Sequence, residues 1–340
     1  PVAWVAGREE LLMTLATLGA IHFHLTARNR EQRGAKETRV VASHIGTTCC
    51  CAAACLSNAV GVVVPLLITA WDLLAVPRPR TRKILCATAP LWAIAAATVA
   101  VKLSGDAGNT AGAPPTFSVG RLILMLNIFW LNITSLLWPR ELAVHYAWPT
   151  PEGFLDRGVI LGGVALALTL VVLGGLWRRK QHLLLFGLCW FGLSLGPVSG
   201  ILTYHLSRTD RFLYLPLVGL AIALAAGLRP CGSRPLASRL VASVSMLLVL
   251  AAAYRSMDQL QTWQNSLTLW QNALKIDPDN SFARACYAHT LASRKEFPQA
   301  IAQYEEVLRR PPVRPEALAE FARVLATCAT PELRDYDRAS

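Results

Sequence analysis

SLTLWQNALKIDPDNSFARACYAHTLASRKEFPQAIAQYEEVLRRPP, residues 266–312, decides the architecture of the C-terminal part of this chain. Trp270, Ala273, Leu274 and Pro278 return 34 positions later as Tyr304, Val307, Leu308 and Pro312. A period of this length describes one pair of antiparallel helices, too small to bury its apolar face alone, so that successive pairs must stack. Ala288 and Ala300 stand where two helices cross closely, Tyr287, Leu291 and Tyr304 are large apolar positions, and Asp277-Pro278-Asp279-Asn280 supplies the turn.

The register is that of the tetratricopeptide repeat, with one complete unit at 281–314, partial units on either side, and packing through Trp270, Ala273, Tyr287, Ala288, Ala300 and Tyr304. Such arrays are usually stable only with about three units. The opening Pro1 without a Met, and an end at Ser340 inside a third unit, lead us to expect a piece of a longer protein at both ends.

Working outward, 54 % of the residues are hydrophobic, 16 % are charged and the mean hydropathy is +0.39, a composition that needs a membrane rather than water around it. Apolar segments at 9–27, 40–56, 59–75, 84–101, 158–177, 182–200, 212–229 and 237–255 are expected spans. The fold class is therefore all-α: a polytopic membrane body, 1–255, of about eight spans, followed by a repeat α-solenoid, 256–340.

Charge orients the body. Basic loops at 28–39, 78–83, 178–180 and 229–239 hold 15 Lys and Arg residues, and with Glu31, Glu37 and Asp72 they account for the whole net charge of +12. All four belong on the cytosolic side. They share one side only if a ninth apolar stretch, 119–138, does not cross, and it is expected as an interfacial or re-entrant helix. Pro1, the loops 102–157 and 201–211 and the repeats then lie outside. The arm from Arg255 onward carries 11 basic and 11 acidic residues, so the basic balance is topogenic and points to no nucleic acid.

Five segments in order, AWVAGREELL (3–12), LSNAVGVVVPLLITAWD (56–72), LLWPRELAVHY (136–146), DRFLYLP (210–216) and SLTLWQNALKIDPDN (266–280), resemble the transmembrane and tetratricopeptide-repeat-containing glycosyltransferases of the polytopic GT-C class, which includes protein O-mannosyltransferases. The resemblance implies a polyprenyl-phosphate-linked sugar as donor, with no other cofactor, and transfer to protein Ser/Thr hydroxyls on the far side of the membrane. It also implies a catalytic carboxylate in a first external loop that lies before Pro1. At 58–59, where the family commonly carries Lys-Glu, this chain has Asn58-Ala59.

Such a reaction needs cations for a departing lipid phosphate. Arg211 suits this role at an external helix mouth, with Asp210 to hold its planar fork, Arg208 and His205 on the same loop, and Tyr214 one turn on. Arginine and tyrosine there also serve as headgroup anchors. Arg8 and Glu9 at the external end of the first span either line the cavity or pair at a helix start. Arg140, Glu141, His145, Glu152, Asp156 and Arg157 bring charges to the external loop, as acceptor-orienting groups or as a solvated surface. Cys49, Cys50, Cys51 and Cys55 lie in an apolar span without a C-x-x-C pair and read as membrane core rather than metal ligands. The Asn132-Ile133-Thr134 sequon sits in an apolar setting unsuited to modification. The arm is expected to bind an acceptor or partner protein; a non-catalytic membrane-anchored scaffold is the second function open to this sequence, and a transporter the third, disfavoured by the few charges inside the spans.

The topology is tested with single cysteines in a cysteine-free background. An impermeant thiol reagent added outside is expected to label position 281 and positions 104–115 but not position 36; labelling of position 281 only after the inner side is opened would reverse the assignment.

Overall fold

The structure, a computed structural model, describes residues 2–75, 81–109, 118–137, 142–146, 151–199, 209–229, 235–309 and 315–327. Among the described residues there are thirteen α-helices and no strand. The body comprises α1 (Val2–Gln32), α2 (Glu37–Ser57), α3 (Val64–Ala75), α4 (Thr81–Asn109), α5 (Val119–Leu137), α6 (Arg157–Arg178), α7 (His182–Leu195), α8 (Tyr214–Leu228) and α9 (Pro235–Thr262). The arm is α10 (Ser266–Ile276), α11 (Ser281–Ser293), α12 (Phe297–Leu308) and α13 (Pro315–Thr327).

Six helical stretches are long and apolar enough to cross a membrane: α2, Ile84–Lys102, α5, α6, Asp210–Leu228 and Ser238–Thr262. Ala59–Leu74 and His182–Val198 are apolar but shorter. The chain is thus an all-α integral membrane protein. Helix α1 has the length to span, but Glu9, Glu10, His22 and His24 dilute its apolar character. Helix α5, expected not to cross, meets the same length and hydropathy conditions as the rest, so only the charge pattern sets it apart.

Small residues bring the helices together, as lipid-embedded packing requires. Gly187 of α7 faces Gly219 and Ala223 of α8 so closely that an added Cβ would come within 2.5 Å of the Ala223 backbone nitrogen. Gly162 of α6 meets the Leu126 carbonyl of α5, where an added Cβ would lie at 1.9 Å. The core around these pairs draws on α1, α2, α3 and α7, with Met13, Ala20, Cys51, Leu67, Ile68, Phe186 and Trp190 buried; the Trp190 indole N–H donates to the Leu215 carbonyl at 3.0 Å. Two short 3₁₀ turns, Ala59–Val63 and Asp210–Leu213, lead into α3 and α8 just before Pro65 and Pro216, which lack an N–H and fit a helix start.

Helix α9 runs unbroken through the expected body–arm boundary at 255/256, and the chain first turns at Trp263–Asn265. There Asn265 and Thr268 form a reciprocal capping box for α10. In the arm, Ala273, Ala288 and Ala300 are fully buried and Tyr304 nearly so, in the register the period predicts. Trp270 and Tyr287 are only half-buried: Trp270 meets Phe282 edge-on at 5.8 Å, and the Tyr287 hydroxyl accepts from Gln271 at the arm surface. The Tyr304 hydroxyl is buried without a partner, and burial pushes its pKa up to about 12.

Two substitutions in the arm should move stability in opposite directions. Ala288→Arg should unfold α11 and α12, at a cost beyond the roughly 1–3 kcal/mol of a few surplus methylenes. Tyr304→Phe keeps the ring and removes an unsatisfied hydroxyl, and is expected to stabilise by about 1 kcal/mol. Hydrogen exchange over 281–308 in the intact protein reads both; unchanged protection in Ala288→Arg would mean the register is wrong.

Candidate functional site

Helix α1 carries polar groups on one stripe: Glu10, Thr14, Thr17 and His24 are buried on the same side as Met13, Ala20 and Ala27. The recurrence at three, four and seven residues marks the packed face. It explains why Glu10 turns inward while Glu9 and Arg8 are exposed. The pair chosen from the sequence is thus one position out of phase, and the buried carboxylate is Glu10. The stripe itself was the signal that could have found it.

Glu10 meets Arg211, Oε1 to Nε at 3.5 Å; the carboxylate side chain is 7 % exposed and the arginine 42 %. The second oxygen, Oε2, is buried with no hydrogen-bond partner among the described residues. Arg211 also lies over the Phe212 ring, 5.5 Å from its centroid. Asp210 does not hold the Arg211 fork as expected. In a 3₁₀ turn of three residues, adjacent side chains diverge by about 120°, and Asp210 instead accepts from the Tyr146 hydroxyl at 2.8 Å. Tyr214 is half-exposed. His205, Arg208, Arg140 and Glu141 lie outside the described residues. Asp156 caps α6 by accepting from the Gly158 N–H at 2.8 Å, while Glu152 and Arg157 are exposed.

Tyr146 belongs to a short strap, 142–146, that joins this mouth to the arm. The Tyr146 hydroxyl accepts from the Ala143 N–H at 3.0 Å. The Leu142 carbonyl accepts from Gln259 of α9 at 3.0 Å and Asn272 of α10 at 3.1 Å. Asn280, cap of α11, donates to the His145 carbonyl at 3.2 Å, and the His145 ring stacks on Phe282 at 4.3 Å. The arm, Asp210, Arg211 and Glu10 therefore share one end of the body. His145 was among the loop charges singled out from sequence and Asn280 among the turn residues; Leu142 and Tyr146 lie in the 136–146 segment, which assigned them no role.

A second polar cluster sits at the opposite end of α1. His24 Nε2 lies 2.9 Å from Asp72 of α3, whose carboxylate also takes two bonds from Arg28; Asp72 is fully buried. Arg28 and His44 both bond Glu31, each at 3.2 Å. Burial pushes the Glu31 carboxyl up, but the His44 and Arg28 hydrogen bonds and their charge outweigh it and hold it below the usual carboxylate range. Arg28 stands eighteen residues beyond Glu10. At 1.5 Å per residue this is about 27 Å, so the two clusters lie at opposite ends of α1. Among the described residues, no group of three or more His, Cys, Asp or Glu side chains could hold a metal ion.

With this geometry in view, the chain can be compared with known proteins. It is similar to a protein O-mannosyl-transferase. The mouse protein O-mannosyl-transferase TMTC3 is 26 % identical over 179 residues, half of this chain and 19 % of the relative. The poly-beta-1,6-N-acetyl-D-glucosamine export protein of Escherichia coli (strain K12) is 38 % identical over 71 residues, 21 % of this chain and 8 % of that relative. The aligned part thus spans about a fifth of the first relative and under a tenth of the second. No family model and no solved structure matches.

Removing Asp72 would leave the buried His24 without its partner and take two of Arg28's three carboxylate bonds, leaving only the one to Glu31. Asp72→Ala is expected to destabilise the body by about 3–5 kcal/mol, seen as a large fall in the detergent melting temperature. A shift below a degree would show the cluster to be solvated rather than structural.

Proposed function

We propose that the intact protein is a membrane glycosyltransferase that moves a mannose-like sugar from a polyprenyl-phosphate carrier to Ser/Thr hydroxyls of an acceptor protein, on the extracytosolic side where the arm is assigned. The observation that carries this reading is the Glu10–Arg211 pair at the mouth beside the strap. A buried carboxylate pairs with Nε of an arginine whose side chain stays 42 % exposed, leaving its outer N–H groups for a lipid phosphate. In the transfer, the bond from the anomeric carbon to the phosphate oxygen breaks as the bond to the acceptor oxygen forms. Negative charge grows on the departing phosphate, and a cation positioned there stabilises it. Glu10 and Tyr146 act through Arg211 and Asp210, as positioning residues. The acceptor's proton is assigned to none of the residues described above. The tetratricopeptide-type arm offers a concave surface for an extended acceptor, and the similarity to a protein O-mannosyl-transferase supports the same reaction class.

One observation favours a second reading, a non-catalytic membrane scaffold that presents the arm. Asn58, where the resembled family carries lysine, is spent on structure: its side chain accepts from the Val60 N–H at 3.0 Å and caps the turn into α3.

The intact protein in proteoliposomes, supplied with polyprenyl-phosphate mannose and a Ser/Thr-rich acceptor, separates the two. Transfer should fall in the order wild type, Arg211→Lys, Arg211→Ala, with the alanine variant roughly 10²-fold down and expression equal. Equal rates for Arg211→Ala and wild type would remove the assigned role, and no transfer by wild type with retained acceptor binding would favour the scaffold.

A further inference from the structure

The second cluster borders an open groove of about 490 Å³ between α1, α2 and α4, lined by Arg28, Glu31, His44, Thr48, Cys86 and Pro90. That volume is within the range of small-ligand sites, roughly 300–1,000 Å³. His44 and Cys86 stand near the first residues of the candidate spans Glu37–Ser57 and Ile84–Lys102, which puts the polar end at headgroup depth. Its other end, at Cys86 and Pro90, continues into lipid-exposed surface beside Ile45 and Leu85. Polar above and apolar below, the groove has the layout of a phospholipid.

The charges select the headgroup. Asp72 is fully buried behind Arg28, so Glu31, 39 % exposed and bonded by Arg28 and His44, is the carboxylate presented to the groove. A second acceptor comes from the backbone. Pro90 lies inside α4 and has no N–H, so the carbonyl one turn back, at Cys86, loses its helical donor. Two acceptors beside a guanidinium with N–H groups to spare fit a zwitterion whose cationic end donates hydrogen bonds.

We propose that this groove binds the headgroup of an aminophospholipid of the phosphoethanolamine type. The primary ammonium seats on the Glu31 carboxylate and the Cys86 carbonyl, the phosphate lies against Arg28 and His44, and the glycerol passes Thr48 toward the bilayer. A choline headgroup carries no N–H to donate to either acceptor. A glycerol headgroup brings the phosphate's negative charge to Glu31 without an ammonium to offset it. The site is independent of the glycosyltransferase reading, since it lies at the other end of α1.

The test is native mass spectrometry of the intact, delipidated protein with phosphatidylethanolamine, phosphatidylcholine or phosphatidylglycerol of matched acyl chains, and with soluble phosphoethanolamine as competitor. Wild type is expected to hold one phosphatidylethanolamine at least about tenfold more tightly than the other two, the scale of one charge-assisted hydrogen bond. Glu31→Gln should lose that preference. Thr48→Trp, which fills the groove and leaves every charge in place, should lose the bound lipid while keeping the lipid-free melting temperature, and it decides the matter if Glu31→Gln folds poorly. Equal binding of the three lipids, or undiminished binding by Thr48→Trp, would overturn the proposal. Displacement by phosphoethanolamine at the lipid's own concentration would also overturn it, by making this a site for a soluble amine phosphate.

Discussion

The fixed point of the body is the Asp72 carboxylate, buried in α3 and held by His24 and Arg28 of α1. A charge taken out of water is tolerated only when its partners are well placed and its lone pairs are used, and here both oxygens are bonded. The tie clamps α1 against α3 at one membrane interface. Because α1 is one continuous helix of 31 residues, clamping its far end also sets the rotation of its near end. The rotation that points His24 at Asp72 is the one that turns Glu10 inward to Arg211 and leaves Glu9 outside. The two polar clusters are consequences of a single helix phase.

What could be read from the chain alone follows the range of the interactions involved. The arm was legible because its packing is local: Ala273, Ala288 and Ala300 recur with the helix pairs and are buried as their period requires. The apolar segments were legible for the same reason: five of the eight are long and apolar enough to cross, while those at 59–75 and 182–200 give shorter apolar helices and the one at 9–27 lies in the more polar α1. The mouth was only partly so. Arg211 stood out as a cation beside an apolar helix, but its partner lies 201 positions earlier and was mistaken for its neighbour in sequence. The bond from Tyr146 to Asp210 joins residues 64 apart, and the strap reaches Asn272 and Asn280 across 130 and 135 positions. No periodicity encodes such pairs. The Asp72 cluster escaped notice because Asp72 counted as one charge in a loop tally, although an ionisable residue inside a span asks for its own partner.

The strap also changes how arm and body relate. The expected boundary at 255/256 falls inside α9, which crosses it as helix, and the strap ties α9, α10 and α11 to the same loop. Backbone carbonyls of Leu142 and His145 take these bonds, so the strap's shape, more than its side chains, holds the arm in place. The side chain that matters most is Tyr146, whose hydroxyl accepts from within the strap and donates to Asp210.

Two carboxylates thus divide the work around Arg211. Asp210, on the preceding residue, is bonded to the strap and fixes the turn that carries the arginine, while Glu10, from another helix, fixes the guanidinium. A displacement of the arm reaches Asp210 through the Tyr146 hydrogen bond and shifts the turn, but the guanidinium remains paired with α1 and through it with Asp72. The angle between turn and guanidinium is therefore the quantity that arm movement alters. In a transfer reaction that angle governs how the outer N–H groups meet a phosphate, where about 1 Å of misplacement is worth on the order of 10²-fold in rate. If the arm takes an acceptor protein, as proposed, its occupancy has a mechanical route to Arg211 through the strap and Asp210.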